Sequence, residues 1–184
     1  FKPWFWKPLD MLDEQAKADR VQYREWMDAG WLNVSHGRII DAEDIARQIG
    51  ELAARYSVLG LVYDRWRIEY LKKELERQDL DAREDEGADI TLMPWGQGFK
   101  DMSPAIDALE NLVLADELRH PNSPILNWNI ANAVVQTDPA GNRKFDKDKS
   151  RMRIDGAQCL AMAAGKRAQL LEDDVMTPWD ADPE

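Results

Sequence analysis

The feature that most constrains the fold of this chain is a short apolar run between two helical patterns. Residues 58–63 are almost continuously apolar, and Asp64 follows them directly. An apolar run of this length with helices on both sides indicates a buried parallel strand. Strands and helices alternate along the rest of the chain, which predicts an α/β domain with a mixed sheet flanked by helices.

The clearest helix is predicted to begin after Asp41, a residue type that caps helix N-termini. Ile45, Ile49 and Leu52 follow it at helical spacing. The other predicted strands are residues 1–6, 31–34 and 90–95, and the other predicted helices are residues 9–29 with a break near Asp19, residues 66–77, one that begins at Ser103-Pro104, residues 125–135, and a last one capped by Ser150.

The composition excludes several classes of protein. Cys159 is the single cysteine, so the chain has no internal disulfide and no cysteine-ligated zinc, which fits a reducing cytoplasm. No run approaches the roughly eighteen apolar residues of a membrane span, and no secretory signal pattern is visible. The sequence also lacks the phosphate loop of nucleotide hydrolases, the serine elbow of α/β-hydrolases and the His-Glu-x-x-His zinc motif.

The net charge of -11 is concentrated in two segments. Residues 79–89 hold six acids and one arginine, and residues 171–184 hold six acids and no base, so the rest of the chain is close to neutral. We expect residues 1–170 to form the domain and residues 171–184 to be a solvated acidic tail. This distribution argues against a DNA-coating protein but is compatible with an enzyme that touches DNA at one local site.

Two carboxylates stand out by their position in the predicted elements. Asp64 ends the apolar strand, and the carboxyl ends of strands are where open α/β sheets bind ligands. Asp155 lies early in a last helix rich in small residues, which would bring it close to a sheet. Converging carboxylates hold divalent cations such as magnesium. An alternative is that Asp64 only caps the next helix and that Asp155 only favours its helix dipole.

The most basic stretch of the chain leads directly into Asp155. Residues 143–153 hold six bases against two acids. Phosphate contacts beside a carboxylate metal site are what a nuclease needs, although many charged runs are only solvated loops. His120 precedes a Pro-Asn-Ser-Pro loop and is a weaker candidate for a general acid or base.

Beyond these patterns, the chain resembles the C-terminal nuclease domain of the large terminase subunit of tailed bacteriophages. The resemblance spans roughly residues 1–165 and rests on the joint order of several phrases. These are Phe5-Trp6-Lys7-Pro8, Gly30-Trp31-Leu32, Gly37-Arg38-Ile39-Ile40-Asp41, Tyr63-Asp64-Arg65-Trp66, Gly96-Gln97-Gly98-Phe99, Met102-Ser103-Pro104-Ala105, then His120, Pro124, Trp128 and Asn132 at matching gaps, Thr137-Asp138-Pro139-Ala140-Gly141-Asn142, Lys147-x-Lys149-Ser150 and Arg153-Ile154-Asp155-Gly156.

The resemblance implies a ribonuclease-H-like fold and an endonuclease that cuts concatemeric viral double-stranded DNA during genome packaging. It implies two Mg²⁺ or Mn²⁺ ions held in part by Asp64 and Asp155, which would be the catalytic residues. The residues expected to contact DNA are Arg65, Lys147, Lys149, Arg151 and Arg153, and the possible accessory residues are His120 and Asn132. The implied location is the cytoplasm of the bacterial host.

The sequence departs from the family pattern in two respects. The family carries a further metal-binding aspartate on a strand upstream of the Phe-Trp-x-Pro phrase, and an ATPase domain precedes the nuclease. We therefore expect a partial nuclease domain that lacks its first strands. Its expected partners are viral DNA, the ATPase domain of the same polypeptide, the portal and the small terminase subunit. The alternatives are a non-catalytic, prophage-derived module that docks on the portal or small subunit, and another ribonuclease-H-like enzyme such as a transposase or resolvase.

Overall fold

The computed structural model describes residues 1–64, 68–85 and 87–175, with only the backbone for residues 172–175. The α/β class is confirmed, and no helix in these ranges is long and apolar enough to cross a membrane. The strands are β1 (Trp6–Pro8), β2 (Asn33–Ser35), β3 (Leu61–Asp64), β4 (Ala82–Arg83), β5 (Ile90–Trp95), β6 (Val135–Thr137) and β7 (Arg143–Phe145). The helices are α1 (Leu12–Asp19), α2 (Tyr23–Asp28), α3 (Ala42–Arg55), α4 (Ile68–Arg77), α5 (Phe99–Leu114), α6 (Pro124–Asn132) and α7 (Asp155–Val175), with a 3-10 turn at Leu9–Met11.

The largest sheet in these ranges has three parallel strands in the order β3–β5–β4. In its register Leu61 lies opposite Leu92, and Asp64 lies opposite Trp95. The predicted parallel strand before Asp64 is therefore confirmed, although it begins three residues later than the apolar run. Helices α3 and α4 pack together over this sheet. The buried core that they share with it consists of Ala46, Tyr63, Leu75, Ala82, Ile90 and Leu92.

Part of the first acidic segment forms a strand, which the charge pattern did not predict. β4 pairs in parallel with β5, and Ala82 is buried in the core. Arg83 is exposed, and its Nε donates to the Asp81 carboxylate at 2.6 Å. Successive residues of a strand face opposite sides, so Ala82 faces the core and Arg83 faces solvent. The buried Ala82 thus anchors this segment at the edge of the sheet.

The amino-terminal elements form a second layer around the parallel pair β1–β2. The predicted helix break near Asp19 is confirmed, because Arg20 takes a left-handed backbone conformation (φ 55°) that ends α1. The predicted strand at residues 1–6 is correct only at Trp6, where β1 begins. The core of this layer consists of Leu12, Tyr23, Leu32 and Ile125, with the Trp26 and Trp128 rings packed against Tyr23.

Helix α5 begins four residues before the Ser103-Pro104 start that the sequence predicted. The Gly98 carbonyl accepts the first helical bond from the Met102 amide at 3.0 Å. Asp101 then lies in the first turn, where a carboxylate is favoured by the helix dipole. The predicted start was wrong, because Pro104 lies inside the helix at the cost of one backbone hydrogen bond.

Helix α7 packs along α5 through small residues. Ala105 and Ala161 are completely buried between the two helices. A Cβ at Gly165 would lie 2.8 Å from the Ala105 Cβ and 2.9 Å from its Cα. The small residues were expected to bring α7 close to a sheet. The structure shows contact with β3, but α7 packs mainly on α5.

Ser150 does not cap α7, which begins five residues later at Asp155, so that prediction was wrong. The Ser150 hydroxyl donates to the Asp146 carbonyl at 2.6 Å and accepts from the Val134 amide at 3.3 Å. Ser150 therefore fixes the loop that follows the antiparallel β6–β7 hairpin. α7 continues five residues past position 170, and the expected division at that position stays a prediction.

The close contact between α5 and α7 predicts opposite effects for two glycine-to-alanine substitutions. Gly165→Ala should destabilise the fold by about 1–3 kcal/mol, because the new methyl group meets the Ala105 backbone. Gly50→Ala in α3 meets only the side chains of Gln78 and Leu80, each at 3.4 Å, and should stabilise by about 0.5–1 kcal/mol. Urea unfolding measures both. A stabilising Gly165→Ala would show that the two helices are not in close contact.

Candidate functional site

Asp64 is the last residue of β3, at the carboxyl end of the three-stranded parallel sheet. Its side chain is half-buried, and its register partner on β5 is Trp95. The carboxyl ends of parallel strands share one edge, where open α/β sheets bind their ligands. The predicted position of Asp64 is confirmed, whereas its role as a metal ligand stays a prediction.

Asp155 is the first residue of α7, and it is exposed. The residues on either side of it hold the start of the helix in the core, since Ile154 is 4% exposed and Ala157 is completely buried. The backbone is thus fixed while the carboxylate faces solvent. A carboxylate in a first turn is also stabilised by the helix dipole, so a ligand role and a purely structural role are both compatible with this position.

Two glutamines connect the start of α7 to the carboxyl end of β5. Gln97 follows Trp95 by two residues, and Gln158 follows Asp155 by about one helical turn. The Gln158 Nε2 donates to the Gln97 Oε1 at 2.8 Å. Because Trp95 is the register partner of Asp64, this bond places the first turn of α7 at the sheet edge where Asp64 ends.

The thiol of Cys159 lies within electrostatic range of both carboxylates. Cys159 is exposed on α7, one turn after Asp155. Desolvation by the surrounding protein raises the pKa of its thiol, and the charges of Asp155 and Asp64 raise it further. Such charge effects fade over roughly 10 Å at 0.1 M salt. Both carboxylates therefore lie within electrostatic range of one sulfur atom.

The donor atoms at this edge suit a hard divalent cation. Carboxylate oxygens are the ligands that Mg²⁺ and Mn²⁺ prefer. Cys159 lies one turn after Asp155 and is the single cysteine of the chain, so a cysteine-ligated zinc site is excluded here. Within the part of the chain that the structure describes, no group of three or more His, Cys, Asp and Glu side chains is placed to hold a metal. The candidate ligands for a divalent cation among the described residues are therefore the Asp64 and Asp155 carboxylates.

A buried ionic cluster holds the segment that leads into Asp155. The Asp19 carboxylate accepts from the Tyr23 hydroxyl at 2.7 Å and from the Arg153 Nε at 3.1 Å, and Lys7 Nζ lies 3.5 Å away. Burial raises the pKa of Asp19, but the hydrogen bonds from Tyr23 and Arg153, together with the charges of Arg153 and Lys7, outweigh it and hold this pKa below its usual value. Burial and the charge of Arg153 lower the pKa of Lys7.

The first bases of the predicted DNA-binding stretch are engaged with α5. Arg143 forms ion pairs with Asp107 and Glu110, and the hydrogen bonds that it donates to the Glu110 and Asp107 carboxylates raise its pKa. The Lys144 ammonium lies over the Phe99 ring, 4.8 Å from its centroid. Both residues therefore fix the β6–β7 hairpin on α5.

The bases nearer to Asp155 are more available to a ligand. Lys147 and Arg151 are exposed and form no ion pair with any residue that the structure describes. Lys149 is exposed and pairs with Asp146 at 3.2 Å. Arg153 is tied to Asp19, yet half of its side chain remains exposed. The loop before α7 thus presents positive charge beside Asp155, and the DNA-contacting roles stay predictions.

The remaining candidates lie apart or outside the described residues. Arg65 is outside the ranges that the structure describes. His120 is exposed in the loop between α5 and α6, where its Nδ1 accepts from the Asn122 amide at 3.2 Å. The Asn132 Nδ2 donates to the Arg153 carbonyl at 3.5 Å, so Asn132 touches the segment that leads into α7.

Four residues around the site were missed by the sequence analysis. Gln97 lies in a Gly-Gln-Gly loop after a strand, which is a ligand-binding position in α/β sheets and could have drawn attention to it. Asp19 was taken only as a helix break, and Gln158 carried no signal. Asn129 bonds a backbone amide 27 residues away, and no local pattern indicates such a contact.

The shared effect of the two carboxylates on Cys159 can be measured directly. Removing either negative charge lowers the thiol pKa, so more thiolate is present at any pH below that pKa. We expect Asp155→Asn and Asp64→Asn each to accelerate alkylation of Cys159 by iodoacetamide at pH 8 by roughly two- to fourfold. Asp148→Asn is the matched control and should leave the rate unchanged. An effect of Asp155→Asn alone would show that the carboxylates do not share a site.

Comparison with known proteins gives the identity of the domain. Residues 7–170 match the family described as terminase large subunit, endonuclease domain. The chain is 40% identical over 163 residues to the terminase large subunit of Enterobacteria phage HK97, covering 89% of this chain and 31% of that protein. It is also 28% identical over 183 residues to Protein YmfN of Escherichia coli strain K12, covering 95% of this chain and 38% of that protein.

The solved structures give the same result. The crystal structure of the HK97 bacteriophage large terminase superposes with a TM-score of 0.76 at 37% identity, over 88% of this chain and 32% of that chain. The chain thus spans about a third of the length of the relatives that it matches. The match along residues 7–170 and the superposition together show that the chain belongs to the terminase large subunit endonuclease domain family and has the ribonuclease-H-like fold that the resemblance implied.

Proposed function

We propose that the chain is a metal-dependent endonuclease that cuts concatemeric viral double-stranded DNA during genome packaging. The observation that carries this proposal is geometric: Asp64 ends a parallel strand, and the Gln97–Gln158 hydrogen bond brings the first turn of α7, which begins with Asp155, to the same edge of the sheet. Membership of the terminase nuclease family supports it. We take Asp64 and Asp155 to be the catalytic residues.

In this proposal the Asp64 and Asp155 carboxylates hold Mg²⁺ or Mn²⁺, with two ions expected. When bound, the ions supply the positive charge that stabilises the attacking and leaving oxygens of a phosphodiester. Asp155 is exposed, so it can reach a cation together with a DNA phosphate. Asp64 is half-buried at the end of its strand and provides the more rigid contact.

The loop before α7 orients the DNA backbone. Lys147 and Arg151 are exposed and carry positive charges that no described residue pairs, so they suit phosphate contacts. Lys149 and the exposed half of Arg153 extend this surface. Arg65, which follows Asp64 in the sequence, is a further candidate from the family resemblance. With a net charge of -11, the domain should attract DNA only at this local surface.

The remaining roles follow from the family rather than from contacts in the structure. His120 and Asn132 are accessory candidates. The Asn132 Nδ2 donates a hydrogen bond to the carbonyl of Arg153, two residues before Asp155. The proposed partners are viral double-stranded DNA, an ATPase domain of the same polypeptide, the portal and the small terminase subunit. The proposed location is the cytoplasm of the bacterial host.

One observation favours a second function. The described residues offer two carboxylates, and no group of three potential ligands is present among them. Two carboxylates alone hold divalent cations weakly. The alternative is therefore a non-catalytic, prophage-derived module that docks on the portal or on the small terminase subunit.

Cleavage of supercoiled plasmid in Mn²⁺ or Mg²⁺ distinguishes the two functions. Asp64→Asn and Asp155→Asn should each reduce the rate by more than roughly a hundredfold, because each removes a charged ligand of the cations. Asp116→Asn is the control, since this exposed carboxylate belongs neither to the proposed metal ligands nor to the loop before α7, and it should cut at the parent rate. Nicked and linear products on a gel give the rates.

The same variants should also be compared in a polypeptide extended upstream to include the further aspartate that the family pattern implies. Activity that appears in the extended form and depends on Asp64 and Asp155 supports the nuclease. An extended form that is inert in both metals favours the docking module instead.

A further inference from the structure

The helix that carries Asp155 cannot cap its own N-terminus. The Ile154 carbonyl accepts the first helical bond from the Gln158 amide at 3.0 Å, so Ile154 occupies the N-cap position. Its side chain is apolar and 4% exposed, and it cannot accept a bond from an amide of the first turn. The first amides of a helix have no partner within the helix and must find one elsewhere.

A side chain from a different helix provides that partner. The Asn129 Oδ1, on α6, accepts from the Gly156 amide at 2.9 Å. The Asn129 Nδ2 donates to the Ile125 carbonyl at 2.9 Å, and the residue is 2% exposed. Because both ends of the buried amide are bonded, its rotation would leave two polar groups unsatisfied. α6 itself is capped by Ser123, so the amide projects from a well-defined helix.

The packing around Gly156 leaves little freedom in this contact. A Cβ at Gly156 would lie 2.9 Å from the Phe5 Cζ and 3.4 Å from the Asn129 Cγ. The start of α7 therefore lies directly against α6 and the aromatic ring that precedes β1. Asp155 is the neighbour of Gly156, and consecutive Cα atoms are about 3.8 Å apart. The bond that fixes the Gly156 amide thus also fixes the backbone of Asp155.

We propose that Asn129 is a positioning residue of the Asp64–Asp155 metal centre. It caps α7 from another helix and so holds the Asp155 carboxylate at the sheet edge where Asp64 ends. Asn129 does not bind the cation, since both of its polar groups are engaged with backbone atoms. This inference rests on the proposed function, because it assigns Asn129 a role in a metal site formed by these carboxylates.

The packing of α7 allows a positioning role of Asn129 to be distinguished from a general contribution to the stability of the fold. Farther along the helix, Ala161 and Gly165 pack tightly on α5 and keep α7 attached to the domain. Loss of the cap should therefore loosen the first turn more than the rest of the helix. Partners that orient a metal ligand typically change metal affinity by roughly 10–100-fold when they are removed.

The test is the affinity of the 184-residue chain for Mn²⁺, measured by titration calorimetry well below the melting temperature of each variant. Asn129→Ala removes both hydrogen bonds. Asn129→Thr is the milder variant, because a threonine hydroxyl can still donate to the Ile125 carbonyl one turn earlier but cannot reach Gly156. Asn127→Ala is the matched control: Asn127 lies on the same helix and is exposed, and among the described residues its side chain bonds only that of Asn122.

We expect both Asn129 variants to weaken Mn²⁺ binding by roughly tenfold or more. Asn127→Ala should stay within about twofold of the parent. If a folded Asn129→Thr binds Mn²⁺ as the parent does, Asn129 is only structural and the inference is wrong. If the parent's Mn²⁺ binding is unaffected by Asp64→Asn and Asp155→Asn, the metal centre itself is wrong. Those two variants therefore separate the failure of the proposed function from the failure of the inference.

Discussion

The arrangement of the site depends on the buried carboxylate of Asp19. This residue is 7% exposed, and an ionised carboxylate at such a position is strongly unfavourable unless it is paired and hydrogen-bonded. Tyr23, Lys7 and Arg153 supply those partners from α2, β1 and the segment before α7. Residues 134 positions apart in the sequence are thereby joined, and the amino-terminal layer holds the segment that leads into Asp155.

The start of α7 is held by contacts from three directions. Arg153 is bound to Asp19, the Gly156 amide is bound to Asn129, and Gln158 is bound to Gln97 at the end of β5. Each contact acts on a different residue within two turns, so the helix can neither slide nor rotate without breaking at least one of them. Asp155 lies at this start, so the position of its backbone is defined although its side chain faces solvent.

Local features of this fold could be predicted from the sequence, and long-range features could not. The Asp41 cap was predictable because its carboxylate accepts from the Glu43 amide, only two residues away. The cap supplied by Asn129 spans 27 residues, and no local pattern encodes it. The start of α5 was misplaced since Pro104 is common at helix starts and the sequence alone did not show that Gly98 supplies the first carbonyl. The end of β3 at Asp64 was predictable from the apolar run before it, whereas the start of α7 at Asp155 was not, because Ser150 offered a cap five residues earlier.

The contacts around α7 also address an electrostatic problem that the proposed site creates. In the proposed site, Asp64 and Asp155 bring like charges to one sheet edge, and without a cation their repulsion favours separation. The dipole of α7 offsets part of this repulsion at Asp155, which occupies the first position of the helix. The Gln97–Gln158 bond joins the start of α7 to the end of β5, and the bonds to Asp19 and Asn129 fix that start, so the proposed arrangement does not depend on a bound cation. A divalent cation would then enter a site that is already arranged, and its binding free energy would not be reduced by the work of bringing the two charges together.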